Sequence, residues 1–570
     1  MHLRRALKSV FRRSTSGPHI PGGPASVVQS GPISRLPPEL LGIIFMHVLD
    51  DDAAFVVPER GCLQYRSPWQ EKMRAPVWTD ILFVCRYWRG LAYNLRNLWT
   101  RIESSSNPWM RYCMDMSGGL PLRVKFSEAT LTMQENMHDL GTHPLFVIAD
   151  ISSHVHHIRE LSMVASCDFD TSSLVLTFCL NKAAPELEVL TLDQEGALNT
   201  PGQYNDILKE IFNPRDTPKL RKICARAPSL GFRMQATIFR GLTYLDISYQ
   251  YLWRAERMEY LIVCMESWTE LRTLILKWSL PRDLDPMAWR EVAYSPPWRT
   301  IHLPHLEQLN VTDVVTYADY FLHHLVLPPL LTLTLECASD LAKVGDPQIA
   351  IAAFSSILQR IPLETTSRIA RVHWNCQAND FSLRGYMGGP ATECANPSED
   401  FPSDFTIHMW TLQPHDYADT GLTEAIWNSL YLPNLTWLWL TLHDDLYRSS
   451  WGSILGPMKE LHALKVDGPY ERSMVELFFA LGFHEIGGAM CPILPRLQGL
   501  HLRQPFISAV TWEYLLDTLR ARWSSGAPEL TLRVRTNKAS SAHIEGSLGY
   551  ELENFTYVFD LDDDLEDPML

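Results

Sequence analysis

Residues 33–52 read ISRLPPELLGIIFMHVLDDD, and the apolar positions Leu36, Leu40, Leu41, Ile44, Phe45 and Val48 recur at helical steps that gather them on one wide face. Pro37 and Pro38 suit a first helical turn, whose amides have no intrahelical partner, and Glu39 complements the positive helix start. Asp50, Asp51 and Asp52 are unfavourable beside a helix C-terminus, so the pattern predicts an end near Leu49. Residues 77–99, VWTDILFVCRYWRGLAYNLRNLW, predict a second helix capped by Thr79 or Asp80. Its apolar face holds Ile81, Val84, Cys85, Trp88, Leu91, Ala92 and Leu95, and Leu98 and Trp99 close the unit. Burying one large apolar side chain is worth roughly 1.5–3 kcal/mol, so this much apolar surface on short helices needs further cover.

From about residue 103 the pattern changes to recurring short blocks, most commonly a leucine, two residues, a leucine, one residue and another apolar residue. The blocks are HIRELSMV at His157, PELEVLTL at Pro185, PKLRKICA at Pro218, GLTYLDIS at Gly241, TELRTLIL at Thr269 and PHLEQLNV at Pro304. PPLLTLTL at Pro328, PNLTWLWL at Pro433, KELHALKV at Lys459, PRLQGLHL at Pro495 and PELTLRVR at Pro528 complete the set. Their last positions alternate as in a strand with one buried face, and spacings of roughly 23 to 36 residues leave room for a helix or irregular segment between strands. One block cannot bury its own leucines, so stacking is required. The pattern is that of a degenerate leucine-rich repeat array over residues 103–545, an α/β solenoid or horseshoe with a parallel sheet along one face. An unrelated α/β domain with leucine-rich strands is the alternative. The repeat asparagine is missing from nearly all blocks, and residues 336–430 fit least. Within them, residues 375–404 read as a long loop or insertion.

Composition sharpens this reading. A hydrophobic fraction of 46% and a charged fraction of 20% over 570 residues are those of a folded protein. A net charge of -15 argues against a chain whose main task is gripping phosphate backbones, so nucleic acid is not an expected partner. No window approaches the roughly 18 apolar residues of a membrane helix, so no membrane is expected either. Eleven cysteines scattered without a CxxC pair suit reduced thiols in cytoplasm or nucleus. Residues 1–32, basic at first and then rich in Gly, Pro and Ser, read as a flexible lead-in. Residues 546–570, with acids clustered from Asp560 to Asp567, read as a solvated acidic tail.

No catalytic constellation emerges. Phosphate loops, dinucleotide fingerprints, HExxH and GxSxG are all missing, so no enzyme and no cofactor is expected. His154, His156 and His157, and the pair His323 and His324, lack partner ligands at metal spacing and are read as surface or strand histidines. Cys85 is read as a packing residue on the buried helix face. Trp437 and Trp439 share one face of a strand, as core or as binding anchors.

The order LPPELL, Ile44-Phe45, Val84-Cys85-Arg86, Trp88-Arg89, Leu91-Ala92 and Leu98-Trp99 resembles the F-box, especially the form abundant in mushroom-forming fungi. The resemblance covers residues 33–102 and is followed by SGGLPLRVKF, a stretch common after the box in those proteins; residues 50–76 form an insert beyond the compact box. It implies a small helical module that docks on the adaptor subunit of an SCF-type ubiquitin ligase and, through it, on a cullin and a RING protein. The implied adaptor-binding residues are Leu36, Pro37, Leu40, Leu41, Ile44, Phe45, Val84, Trp88, Leu98 and Trp99, shared with the module's own core in a division that sequence alone does not make. The repeat array would then present a target protein. An interaction scaffold that binds the adaptor without ubiquitin transfer, and an unrecognised enzyme within residues 103–545, are the rival classes.

Overall fold

The computed structural model describes residues 36–54, 77–103, 107–127, 144–165, 182–194, 217–226, 239–249, 257–283, 296–329, 331–339, 347–377, 380–387, 405–411, 422–441, 451–467, 471–486, 489–503, 508–528, 530–536 and 557–561. The lead-in read over residues 1–32 lies outside them. The chain divides into two compact units, one of residues 1–100 with 116–118, the other of residues 101–115 and 119–570. No helix among the described residues is long and apolar enough to cross a membrane.

In the first unit, helix α1 (Pro38–Ala54) buries Leu41, Phe45 and Leu49, a stripe at steps of four, and exposes Leu40, Ile43 and His47 on other faces. The helix runs past the three aspartates instead of ending near Leu49. An unfavourable end charge costs only about 0.3–1 kcal/mol, which is too little to stop a helix by itself. The second stretch is not one helix. A 3-10 turn (Val77–Asp80), α2 (Ile81–Val84), α3 (Arg86–Asn94) and another 3-10 turn (Arg96–Trp99) follow each other, with Cys85 extended at φ -160° and ψ 170° between α2 and α3.

The break is stabilised locally. Cys85 Sγ accepts from the Trp88 amide at 3.4 Å as the N-cap of α3, and Arg89 Nε donates to the Leu82 carbonyl at 2.8 Å, occupying an acceptor at the open end of α2. Cys85 is therefore exposed, not on a buried face. Asp80, read as a possible cap, makes no side-chain cap bond, and Thr79 is buried. The Phe45 and Trp88 rings lie 5.0 Å apart and those of Trp78 and Trp99 5.2 Å apart edge-on, while Trp99 Nε1 donates to the Ala92 carbonyl at 3.0 Å. Gly42 faces Leu95, whose methyls would lie 3.6 Å from any added Cβ.

The second unit is mixed α/β, built on one large and mostly parallel sheet. Its strands in chain order are β1 (Arg101–Glu103), β2 (Leu122–Ser127), β3 (Ile158–Ala165), β4 (Val189–Gln194), β5 (Lys222–Arg226), β6 (Tyr244–Ser248), β7 (Thr273–Lys277), β8 (Gln308–Val314) and β9 (Thr332–Ser339). They continue as β10 (Ile369–Gln377), β11 (Asp380–Met387), β12 (Phe405–Thr411), β13 (Trp437–Thr441), β14 (Ala463–Asp467), β15 (Gly499–Arg503), β16 (Thr531–Thr536) and β17 (Tyr557–Leu561). Strands β1 to β9 pair successively and in parallel. Strand β9 then pairs with β12, β12 with β11, β11 with β10 and β10 with β13, so chain order is locally reversed. Among the described strands of this large sheet only β11 runs antiparallel to its neighbours, and β13 to β17 resume the parallel order.

All eleven leucine blocks lie on strands, β3 to β9 and β13 to β16. Register stacks their apolar positions: Leu161, Leu190, Ile223, Leu245, Leu274, Leu309 and Leu333 form one buried row, and Leu438, Leu464, Leu500 and Leu532 form its counterpart. Backbone bonds continue the ladder just before the strands, as from the Glu188 amide to the Arg159 carbonyl at 2.8 Å and from the Gln498 amide to the His462 carbonyl at 2.8 Å. The expectation of a loop over residues 375–404 is overturned in part, since residues 380–387 are β11, whose Phe381 and Leu383 are buried beside β10 and β12. The stretch read as a solvated tail contains β17, paired in parallel to β16 from Leu532↔Tyr557 onward. Helices fill several connections, including α4 (Glu471–Leu481) between β14 and β15 and α5 (Ala509–Ser524) between β15 and β16.

Candidate functional site

In the first unit, the ten residues implied by the resemblance separate into two groups. Leu41, Phe45, Trp88, Leu98 and Trp99 are buried at 4% exposure or less, so they are core. Pro37 and Leu40 are exposed, Leu40 at 48%, and Leu36, Ile44 and Val84 are half-buried. Sequence reasoning missed Ile43, Phe83 and Tyr87, which are exposed at 54%, 75% and 47%. The signal for Ile43 was its place three residues after Leu40, which puts both on one side of α1. Phe83 and Tyr87 flank the extended residue Cys85, a break no helical pattern announces.

On the sheet, the face opposite the leucine rows is polar and aromatic. Trp437 and Trp439 belong to this face and are half-buried, so they are not part of the leucine core. Their rings meet at 6.2 Å and 77°. Trp439 is held from both neighbouring strands: His373 of β10 stacks on it at 4.0 Å and 18°, and Lys465 Nζ of β14 stands 3.5 Å from its ring centroid. Trp439 Nε1 donates to Asp467 Oδ2 at 2.8 Å, and Lys465 Nζ lies 3.8 Å from the same oxygen. Burial, followed by the Arg384 and Lys465 charges, pushes the His373 pKa down to about 4, so its ring is neutral near pH 7. His373 Nε2 lies 3.3 Å from Thr441 Oγ1.

Other buried charges serve the fold. Asp313 Oδ2 accepts from the Leu280 amide at 3.0 Å, and its Oδ1 accepts from the Val314 amide at 2.8 Å and from Arg282 Nη2 at 3.0 Å, which ties β8 to the connection leaving β7. Asp246, 2% exposed, accepts from Arg226 Nε at 2.9 Å and from Ser248 Oγ at 3.1 Å. Burial pushes the Cys113 thiol up to about 12 and raises those of Cys224 and Cys337, which disfavours the thiolate a nucleophile needs.

The rings of His156 and His157 lie 4.0 Å apart and those of His154 and His157 5.5 Å apart. Burial first, then the neighbouring His156 and His154, lower the His157 pKa. His324 Nδ1 lies 2.6 Å from the Arg299 carbonyl. No group of three or more His, Cys, Asp or Glu that could hold a metal occurs among the described residues.

Comparison with known proteins adds no assignment: no protein-family model matches the chain, and no curated protein matches it.

Proposed function

We propose that the chain is a substrate-recognition subunit of an SCF-type ubiquitin ligase, with an F-box-like first unit that takes the adaptor subunit and a degenerate leucine-rich-repeat horseshoe that takes a target protein. The observation that supports it best is the division of the motif residues. Core positions Leu41, Phe45, Trp88, Leu98 and Trp99 account for the module's own packing, while Pro37, Leu40 and Ile43 leave an apolar side of α1 exposed to a partner. The repeat reading is supported by eleven leucine blocks that lie on parallel strands with their leucines stacked in register. The mechanism is proximity: a target tethered near a charged conjugating enzyme experiences a high effective concentration of thioester, and the transfer chemistry belongs to the other subunits.

The test is capture of the full-length chain by purified adaptor subunit. Leu40→Asp with Ile43→Asp is expected to abolish capture and leave the circular dichroism spectrum unchanged, because both side chains are exposed. A folded wild-type chain that the adaptor fails to capture overturns the reading.

A further inference from the structure

We propose that the non-leucine face of β10, β11 and β13 to β16 binds an acidic peptide segment with an apolar residue in its midst; that this segment belongs to a recruited target rests on the recognition reading above. One cross-strand row runs Arg384, His373, Trp439, Lys465, His501, Arg533, each directly opposite the next. Adjacent rows add Arg371 opposite Trp437 and Arg503 opposite Asp467. Among the described side chains of this face, five guanidinium or ammonium groups (Arg371, Arg384, Lys465, Arg503, Arg533) stand with one carboxylate, Asp467. In a chain of net charge -15 this local excess of positive charge runs against the whole.

Trp439 gives the row a rigid centre. Flanked by His373 and Lys465 and hydrogen-bonded to Asp467, it is already ordered, so a ligand need not immobilise it on binding. Beside it, Trp437 stands in a row with Ala463 and Gly499, where side chains are small or lacking. A Cβ added at Gly499 would make only ordinary contacts, with His501 at 3.5 Å and Ala463 at 3.6 Å. A row of small residues next to an indole, rimmed by cations, fits an apolar side chain flanked by carboxylates.

The extent of the surface favours a peptide over nucleic acid. Five strand spacings separate Arg384 from Arg533, about 24 Å in all, and an extended peptide covers that in about seven residues. Beyond Arg384 the row passes to Thr406 and Thr334, so the basic strip stops there. A long polyanion would meet the repulsion of the remaining, net acidic molecule, whereas a short acidic segment feels chiefly charges within a Debye length of about 8 Å.

The experiment pans a phage-displayed library of random decapeptides against the full-length chain, with no adaptor present, and measures the leading peptide by fluorescence anisotropy. The expected result is enrichment of Asp and Glu around an apolar residue, with binding weakened at least tenfold by Arg503→Glu and by Lys465→Gln. Arg503 is exposed, so its replacement leaves the fold intact. No selection, selection without acidic bias, or indifference to both substitutions would sink the proposal. So would stronger competition by a twenty-residue oligothymidylate than by the peptide. A tenfold gain in affinity on removing residues 562–570 would make the chain's own acidic end the occupant and overturn the target-peptide form. Adaptor capture and peptide selection share only the chain itself, so with a folded chain failure of one is distinguishable from failure of the other.

Discussion

At the residue scale, the side chains that matter differ from their sequence appearance because of what surrounds them. His373 has an ordinary pKa of 6.5 lowered to about 4, by burial first and then by Arg384 and Lys465. Between those values the unfolded chain binds more protons than the native one, so this histidine's contribution is complete above pH 6.5 and is lost as pH falls toward 4. Urea midpoints at pH 7 and pH 5 should therefore differ less in His373→Gln than in the wild-type chain; an unchanged difference would refute the assignment. His324 and His157 are lowered too, so some slope remains in the variant. Cys85 is exposed whereas Cys113, Cys224 and Cys337 are buried, and among these four it should be alkylated first by iodoacetamide in native buffer, as read by peptide mass spectrometry. Neither property was legible in the sequence. The His373 environment comes from strands distant along the chain, and the exposure of Cys85 follows from a break between α2 and α3.

At the scale of elements, α1 and the leucine strands divide the same residue types differently. Buried leucines in the register rows have neighbours on both flanking strands, so Leu464→Ala should cost about 2–5 kcal/mol in equilibrium unfolding. Leu40→Ala, on the exposed side of α1, should stay within about 0.5 kcal/mol. A cost for Leu40→Ala as large as that for Leu464→Ala would mean that Leu40 is packed and not exposed. Cys85→Ser replaces a weak sulfur cap by a strong one and should stabilise the first unit by about 0.5–1 kcal/mol. The eleven blocks were legible as strands because a period of two needs only local sequence. Strand β11 was not, because Gly385, Met387 and the polar residues among Phe381 and Leu383 make no leucine block; its strand character comes from pairing with β10 and β12.

At the scale of the whole molecule, β17 is the edge of the sheet among the described residues, five residues placed where the sequence reads as an acidic tail. Its removal would expose the edge of β16, a row of unsatisfied backbone groups next to the buried Leu532 and Val534. A chain ending at Thr556 should thus aggregate on light scattering under conditions where one ending at Leu561 stays monodisperse; identical behaviour would mean that β17 closes nothing. By itself the sequence determined a helical first segment, a long array of leucine-patterned strands, an acidic balance and the candidate apolar residues. These follow from local periodicity and composition, which act over a few residues. Only the tertiary structure decided which of Leu36 to Trp99 are core and which face outward, that chain order reverses at β10 to β12, and that Arg384, His373, Trp439, Lys465, His501 and Arg533 form one row. The physical reason is that burial and cross-strand register are relations between segments tens of residues apart, fixed when the whole sheet pairs and by no segment alone.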